Sequence, residues 1–343
     1  MEHCGIEQAY QACELLIDLF QNFRFRWKDH VFNIGVSIGL AIIDQHIKGN
    51  AEAMQNADAA CYEAKNAGRN QIKVQTEDHA RLEKRRGDIQ WSKEIQFALD
   101  HDRFLLYAQP IAALSDMSSS ISYEILMRMK MKNGKIVLPG TFLPASERYN
   151  SASRIDRWVV SHSLRWMNNH VVQLANIESI SINLSGQSLG DESMTEYIIR
   201  ELETGSIPAH KIKFEITETA AIANLHDATL FINALKAYGC RFALDDFGSG
   251  LSSFAYLKHL GVDTLKIDGM FIKDMLSDPI DYEMVKSINQ IGHVMGLETV
   301  AEFVESKAIL DKLKEIGVDY GQGYSIGAPV LLDELLVDEP GRR

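Results

Sequence analysis

The sequence predicts an α/β protein built on a TIM-like (β/α)8 barrel with a first antiparallel strand, preceded by a small α+β unit. Two observations carry this. Eight short apolar runs suited to strands recur between residues 104 and 326, and from the second onward helical segments mostly fill the gaps. The 343 residues also leave room for a barrel of roughly 250 residues and an extra piece. An open doubly wound sheet is the competing arrangement of the same alternation.

The elements follow in order. From Glu7 to about Asn22 apolar residues recur at helical spacing, and Val31–Ile43 (VFNIGVSIGLAII) reads as a strand interrupted by Gly35 and Gly39. A helix from Ala51 to about Ala67 is stopped by Gly68, and a short strand covers Gln71–Gln75. This first unit, 1–76, is thin for an independent core. The mixed-charge stretch TEDHARLEKRRGDIQW then predicts a solvated helical linker over 77–91. The barrel, 92–337, takes strands at Phe104–Ala108, Ser122–Met127, Ser179–Leu184, Ile212–Thr217, Arg241–Asp245, Thr264–Asp268, Glu298–Phe303 and Gln322–Ile326. The connection 111–121 is too short and polar for a crossover helix, so the first two strands form a hairpin. Asp227 and Gly239 punctuate one later helix, Ser306 and Gly317 another.

Composition bounds the function. A formal net charge of −12 with 46% hydrophobic and 24% charged residues fits a globular protein whose main partner is neither a nucleic-acid polymer nor an anionic membrane. No stretch approaches ~20 apolar residues, and MEHCGIEQAYQACELL is too acidic and too weakly apolar for a signal peptide. Cys4, Cys13, Cys61 and Cys240 lack metal-type spacing and read as reduced thiols, which predicts a cytoplasmic location, with a membrane-anchored parent compatible. Trp158 and Trp166, a helical repeat apart, read as helix-face packing rather than base-stacking platforms.

Function in a barrel gathers at the C-terminal ends of the strands. Gln109, Glu124, Asn183, Glu215, Asp245, Asp246, Lys266, Asp268, Glu302 and Gln322 all fall at such ends. Taken alone, ALDDFGSGLSSF (243–254) is a plain capped turn. Its place among the other acids changes that. Convergent carboxylates raise one another's pKa unless cations offset them, and carboxylate and amide oxygens suit Mg²⁺ or Mn²⁺. No His or Cys recurs at these ends, which counts against zinc. Two ions about 3.5–4 Å apart would clamp a phosphodiester. Alternation turns Ile125 and Ile267 outward to the helices and Asp245 inward. Asp246 should also turn outward, reaching the site only because the strand ends there, with Gly248 and Gly250 permitting the turn.

Residues 92–335 resemble the EAL phosphodiesterase family. The resemblance rests on YAQP (107–110), EILMR (124–128), INLS (182–185), FEITET (214–219), DDFGSGLSSFAYLKHL (245–260), DTLKID (263–268), AEFVE (301–305) and QGYSIGAP (322–329), in order and at barrel spacing. It implies metal-dependent hydrolysis of cyclic di-GMP to linear pGpG, by in-line attack of an activated water. It further implies a two-metal site, one ion held by Glu124, Asn183, Glu215 and Asp245 and the other by Asp245, Asp246 and Glu302. By the same resemblance Lys266, Glu302 and Glu124 are catalytic, with Lys266 positioning or activating the water. Gln109, Leu126, Arg128, Asp268, Gln322 and Pro329 would contact substrate, Glu218 would tie down the loop after the Asp pair, and two barrels would pair as a homodimer. The plainer reading of Arg128 and Lys266, as counter-ions of neighbouring acids, is compatible with these roles. A catalytically silent cyclic di-GMP receptor is the alternative.

Two positions depart from the family pattern. The signature Ala is Ile125, which packs outward, and the usual Gly beside Glu302 is Phe303, where a ring could shift Glu302 or crowd the pocket. FRFRW, GVSIGLA and ADAACYEAKNAGRNQIKV resemble the C-terminal part of a GGDEF (diguanylate cyclase-type) domain. Its signature motif is missing, so Lys65 and Arg69 lack active-site partners, and cyclase activity is not expected. A partial domain would expose apolar surface and is expected to associate or fray.

Overall fold

The computed structural model describes residues 5–27, 30–33, 35–43, 47, 49–66, 70–75, 90–117, 121–248 and 256–335. It divides into two compact units, Met1–Gln90 and Trp91–Arg343. The calls on Gly68, Gly250 and most of the 77–91 linker lie outside the described residues.

In the first unit, α1 (Ile6–Asn22) precedes an antiparallel hairpin of β1 (Arg24–Trp27) and β2 (His30–Asn33). Helix α2 (Asn50–Asn66) connects the parallel pair β3 (Ile38–Ala41) and β4 (Ile72–Gln75). The single run expected over 31–43 is therefore two strands in different sheets. Gly39 does not interrupt β3. A Cβ there would lie 2.2 Å from Ala57 O, so the glycine lets α2 lie flat on the strand. Cys13, Ile17 and Ile72 form a small core, while Leu15, Leu19 and Phe23 are exposed.

Helix α3 (90–100) begins at the unit boundary and leads to the hairpin of β5 (Phe104–Ala113) and β6 (Ile121–Lys130), with Phe104 opposite Met129 and Ile111 opposite Ser122. The barrel continues through β8 (Ile177–Leu184), β9 (Ile212–Thr217), β10 (Arg241–Phe247), β11 (Thr264–Ile267), β12 (Glu298–Ala301) and β13 (Tyr320–Gln322). Strand β5 closes it, antiparallel to both β6 and β13, while the other barrel neighbours are parallel. Two-residue strands β7 (Ile136–Val137) and β14 (Val330–Leu331) extend the rims. Alternation then sorts side chains: Ile125, Met127 and Met129 enter the buried apolar layer, and so does Ile267 on β11. Glu124, Leu126 and Arg128 take the other face of β6.

Several expected boundaries move. The last barrel strand ends at Gln322, because the chain beyond it bonds to Val304 instead of a sheet neighbour: Ser325 N donates to Val304 O at 2.9 Å. A Cβ at Gly323 would lie 2.3 Å from Val304 N, so this crossing requires glycine. Strand β12 stops at Ala301, ahead of Glu302 and Phe303. Asp268 lies outside β11 and caps α11 (Gly269–Asp274), accepting from Met270 N at 2.9 Å. The helix Leu225–Lys236 is capped by Asn224, with Asp227 in its first turn as the donor. Ser306 and Gly317 do bound Lys307–Ile316.

Candidate active site

At the C-terminal rim the inward carboxylates converge on one ammonium. Lys266, at 1% exposure, places Nζ 2.6 Å from Glu215 Oε2, 2.7 Å from Glu302 Oε1, 3.1 Å from Asp245 Oδ1 and 3.4 Å from Glu124 Oε2. Amides complete the ring: Asn183 Nδ2 donates to Glu124 Oε1 and Gln322 Nε2 to Glu124 Oε2, both at 2.6 Å. Gln322 also donates to Gln109 Oε1 at 3.3 Å, and Gln109 to Gly327 O at 3.2 Å. Register explains the meeting, since Gln109 lies opposite Glu124 and Asn183 opposite Glu215.

One ammonium cannot balance this many acids. Burial, reinforced by Glu124 and Asp245 against Lys266, pushes Glu215 up to about 7. Burial likewise holds Glu302 well above the usual carboxylate range, with Lys266 opposing and Asp245 and Glu124 adding. Burial works against the Lys266 ammonium too, but Asp245, Glu124, Glu215 and Glu302 outweigh it and hold its pKa well above the ordinary lysine value.

The adjacent pair Asp245–Asp246 meets the site by a route the alternation rule missed. Strand β10 does not end at Asp245; it runs to Phe247 through a bulge. Leu244 pairs with Leu265 and Phe247 with Ile267, so β10 carries one more residue than β11 across that interval. Asp246 takes the left-handed conformation, φ +54°, which Asp tolerates better than most residues. The bulge brings carboxylate oxygens of Asp245, Asp246 and Glu302 within 4.8 Å of one another. Burial first, then Asp245 and Asp268, raise Asp246 to about 6. Gly248 follows at φ +97°, where a Cβ would also press on Ile288 Cδ1 at 2.9 Å.

A cavity of about 280 Å³ opens beside this cluster and is lined by Gln109, Leu126, Arg128, Gln322 and Pro329, together with Glu302, Phe303, Glu305 and Tyr324. Asp268 does not line it, being engaged at the α11 N-terminus. The Arg128 guanidinium lies 5.4 Å over the Tyr107 ring, and burial lowers its pKa. With Phe303 beside it, Glu302 contacts Lys266 at 2.7 Å, and Phe303 itself stands in the cavity wall. Phe303 adopts φ +53°, which explains why glycine suits the position, and its half-exposed ring rests on Gly269 with Lys273 Nζ 3.9 Å over it. Glu218 accepts from Gly248 N at 3.0 Å and from Tyr256 OH at 2.7 Å, binding residues on either side of 249–255. Tyr256, Tyr324 and Glu305 escaped the residue-level reading because each lies beyond a strand end, where alternation says nothing. The tryptophans pack as expected, Trp166 in the core and Trp158 with Nε1 on Asp102 at 2.8 Å.

The residues present fit a hard divalent cation. Asp245 Oδ1 is buried and faces the Lys266 ammonium at 3.1 Å, and carboxylate oxygens of Asp245, Asp246 and Glu302 lie within 4.8 Å of one another, an oxygen set suited to Mg²⁺-like ions.

A closed (β/α)8 barrel with acids on or directly after four of its eight strands gathered at the C-terminal rim defines a class of protein whose chemistry lies in that ring. Residues 92–329 match the EAL domain model, and the chain belongs to that family. Residues 1–71 match the model described as diguanylate cyclase, GGDEF domain. Cyclic di-GMP phosphodiesterase PdeB of Shewanella oneidensis is 42% identical over 87% of the chain and 35% of its own length. Cyclic di-GMP phosphodiesterase PdeF of Escherichia coli is 37% identical over 72% and 33%. The chain thus spans about a third of these relatives. Among solved structures, the FimX EAL domain of Pseudomonas aeruginosa bound to c-di-GMP superposes with a TM-score of 0.65 at 31% identity, covering 70% of this chain and 96% of that one. The c-di-GMP complex of the phosphodiesterase PaMucR gives 0.67 at 29%, covering 72% and 100%.

Proposed function

We propose that this chain hydrolyses cyclic di-GMP to linear pGpG in a metal-dependent reaction, lowering a bacterial second messenger. The observation that carries the reading is the convergence of Glu124, Glu215, Asp245 and Glu302 on Lys266, with Asp246 brought alongside by the bulge. Glu124, Asn183, Glu215 and Asp245 would hold one Mg²⁺ or Mn²⁺, and Asp245, Asp246 and Glu302 a second. When bound, such a pair neutralises phosphate charge and makes water acidic enough to attack near neutral pH. The protein's residues do the rest. Lys266 orients the attacking water and stabilises charge on the phosphate, keeping its proton because four carboxylates surround it. Glu124 is fixed at both oxygens by Asn183 and Gln322, so it presents one geometry to the reaction. Gln109, Leu126, Arg128, Gln322 and Pro329 line the wall that takes the nucleotide. Asp268 caps α11 outside that wall, and Glu218 holds Gly248 and Tyr256 on either side of 249–255.

The similarity to cyclic di-GMP phosphodiesterases and to EAL structures bound to c-di-GMP supports the substrate. Pairing of two barrels and a cytoplasmic setting, including for a membrane-anchored parent, belong to the same proposal. No described helix is long and apolar enough to cross a membrane. The test compares wild type with Glu124→Ala in Mn²⁺, scoring pGpG formation and cyclic di-GMP binding separately. Wild type should turn over and the variant should lose at least a hundredfold in rate, in line with removal of a directly acting group. Tight binding without turnover by wild type would favour the silent receptor.

A further inference from the structure

Helix α5 (Ala152–Asn169) carries a carboxylate that the reaction above does not use. Asp156 is buried, yet no cation pairs with it among the described ion pairs. Its Oδ2 instead accepts three hydrogen bonds, from Ser185 N at 2.8 Å, Ser185 Oγ at 2.6 Å and Ser188 Oγ at 2.6 Å. Desolvating a carboxylate is costly unless its acceptors are met, and only a group with no donor of its own suits three donors converging on one oxygen. The donors lie in the one-turn helix Gly186–Leu189 and at its N-cap Ser185, directly after Asn183 and Leu184. A second tie holds the same turn: Gln187 Nε2 donates to Glu147 O at 2.6 Å, and its Oε1 accepts from Ala152 N at 3.3 Å.

The arrangement repeats that of Glu218. Each is a buried carboxylate on a helix outside the acid ring. Each accepts one backbone N–H and at least one hydroxyl from the segment following a strand that ends in site residues: Gly248 after Asp245 and Asp246, Ser185 after Asn183. The Asn183 side chain is itself exposed, so packing does not aim it. Its direction comes from the backbone at the strand end and from the bond to Glu124.

We propose that Asp156 is a positioning residue for the site, locking the turn after β8 so that the Asn183 amide meets Glu124 and the cation they share. This rests on the metal-dependent reading above. Loss of an outer partner of a metal ligand typically weakens metal binding 10–100-fold, and Asp156 acts one step further out, so the low end applies.

The test measures Mn²⁺ binding by calorimetry for wild type, Asp156→Asn and Ser188→Ala, with cooperative melting as the check on folding. Asp156→Asn should weaken Mn²⁺ about tenfold. Ser188→Ala, which removes one of three bonds, should weaken it less. The maximal rate on cyclic di-GMP should return in both when Mn²⁺ is raised in proportion. Unchanged Mn²⁺ affinity in the folded variants, whatever happens to melting temperature, overturns the proposal. Should Asp156→Asn not fold, Ser188→Ala decides alone. Wild type that takes up no Mn²⁺ overturns the metal reading and this proposal together, a result distinct from unchanged variants of a metal-binding wild type.

Discussion

Lys266, itself buried, is held by four carboxylates at 2.6–3.4 Å. Removing one partner from a buried ionic cluster usually costs about 3–5 kcal/mol, because the remaining charges lose their compensation. Lys266→Met in EDTA should therefore lower unfolding free energy by about that amount in urea titration. Part of it should return with Mn²⁺, since a cation can take over the ammonium's neutralising role. A variant as stable as wild type in EDTA would mean that the carboxylates already carry protons in place of the cation. At this scale the sequence was informative about identity and poor about pose. Residue type and strand position picked out Lys266, Glu124, Glu215 and Asp245, since strand alternation has a fixed period. The three-donor role of Asp156 was invisible, because RIDRWVV reads only as a helix face and its partners lie 29 to 32 residues away.

At the scale of elements, the site depends on two departures from regular strands. The bulge in β10 gives two successive acids access to one cluster, and the left-handed turn at Phe303 follows β12. Neither has a period to detect, although the adjacency of two acids hinted at the first. The second created a dependence between elements. A Cβ on Gly269 would lie 2.0 Å from Phe303 Cδ2, so glycine at the start of α11 makes room for the ring. Gly269→Ala should destabilise the protein by about 1–3 kcal/mol, the usual cost of overpacking. In a Phe303→Gly background the same substitution should cost little, a coupling read from a double-mutant cycle of unfolding free energies. Equal costs in both backgrounds would show that the ring moves aside freely.

For the whole molecule, the raised carboxylates link stability to pH. Glu215 titrates near 7 in the fold and about 4.5 unfolded, and Asp246 near 6 instead of 3.8. The folded protein therefore binds more protons between these values, so its stability falls as pH rises through that window. With EDTA, the contribution of these two carboxylates should be fully present below about pH 4 and decline up to about 7, Glu215 alone contributing on the order of 3 kcal/mol. Mg²⁺ or Mn²⁺, competing with those protons, should stabilise more at pH 8 than at pH 5. Melting curves at both pH values check this, and a metal effect independent of pH would contradict it. The barrel itself was legible because eight strands, a hairpin at the first two and acids at the strand ends agree with one another. Boundaries moved where caps and crossings competed with apolar pattern, as at Asp268 and Gly323. The first unit was less legible, since its β3 glycine serves helix packing rather than a break.

The central claim is tested most directly by incubating the purified chain with cyclic di-GMP and Mn²⁺ and following both nucleotides by chromatography. One pGpG should form for each cyclic di-GMP consumed, formation should stop on adding EDTA, and it should resume when Mn²⁺ is restored in excess. Cyclic di-GMP that stays intact with either Mg²⁺ or Mn²⁺, or that is cleaved equally well in EDTA, would contradict the account.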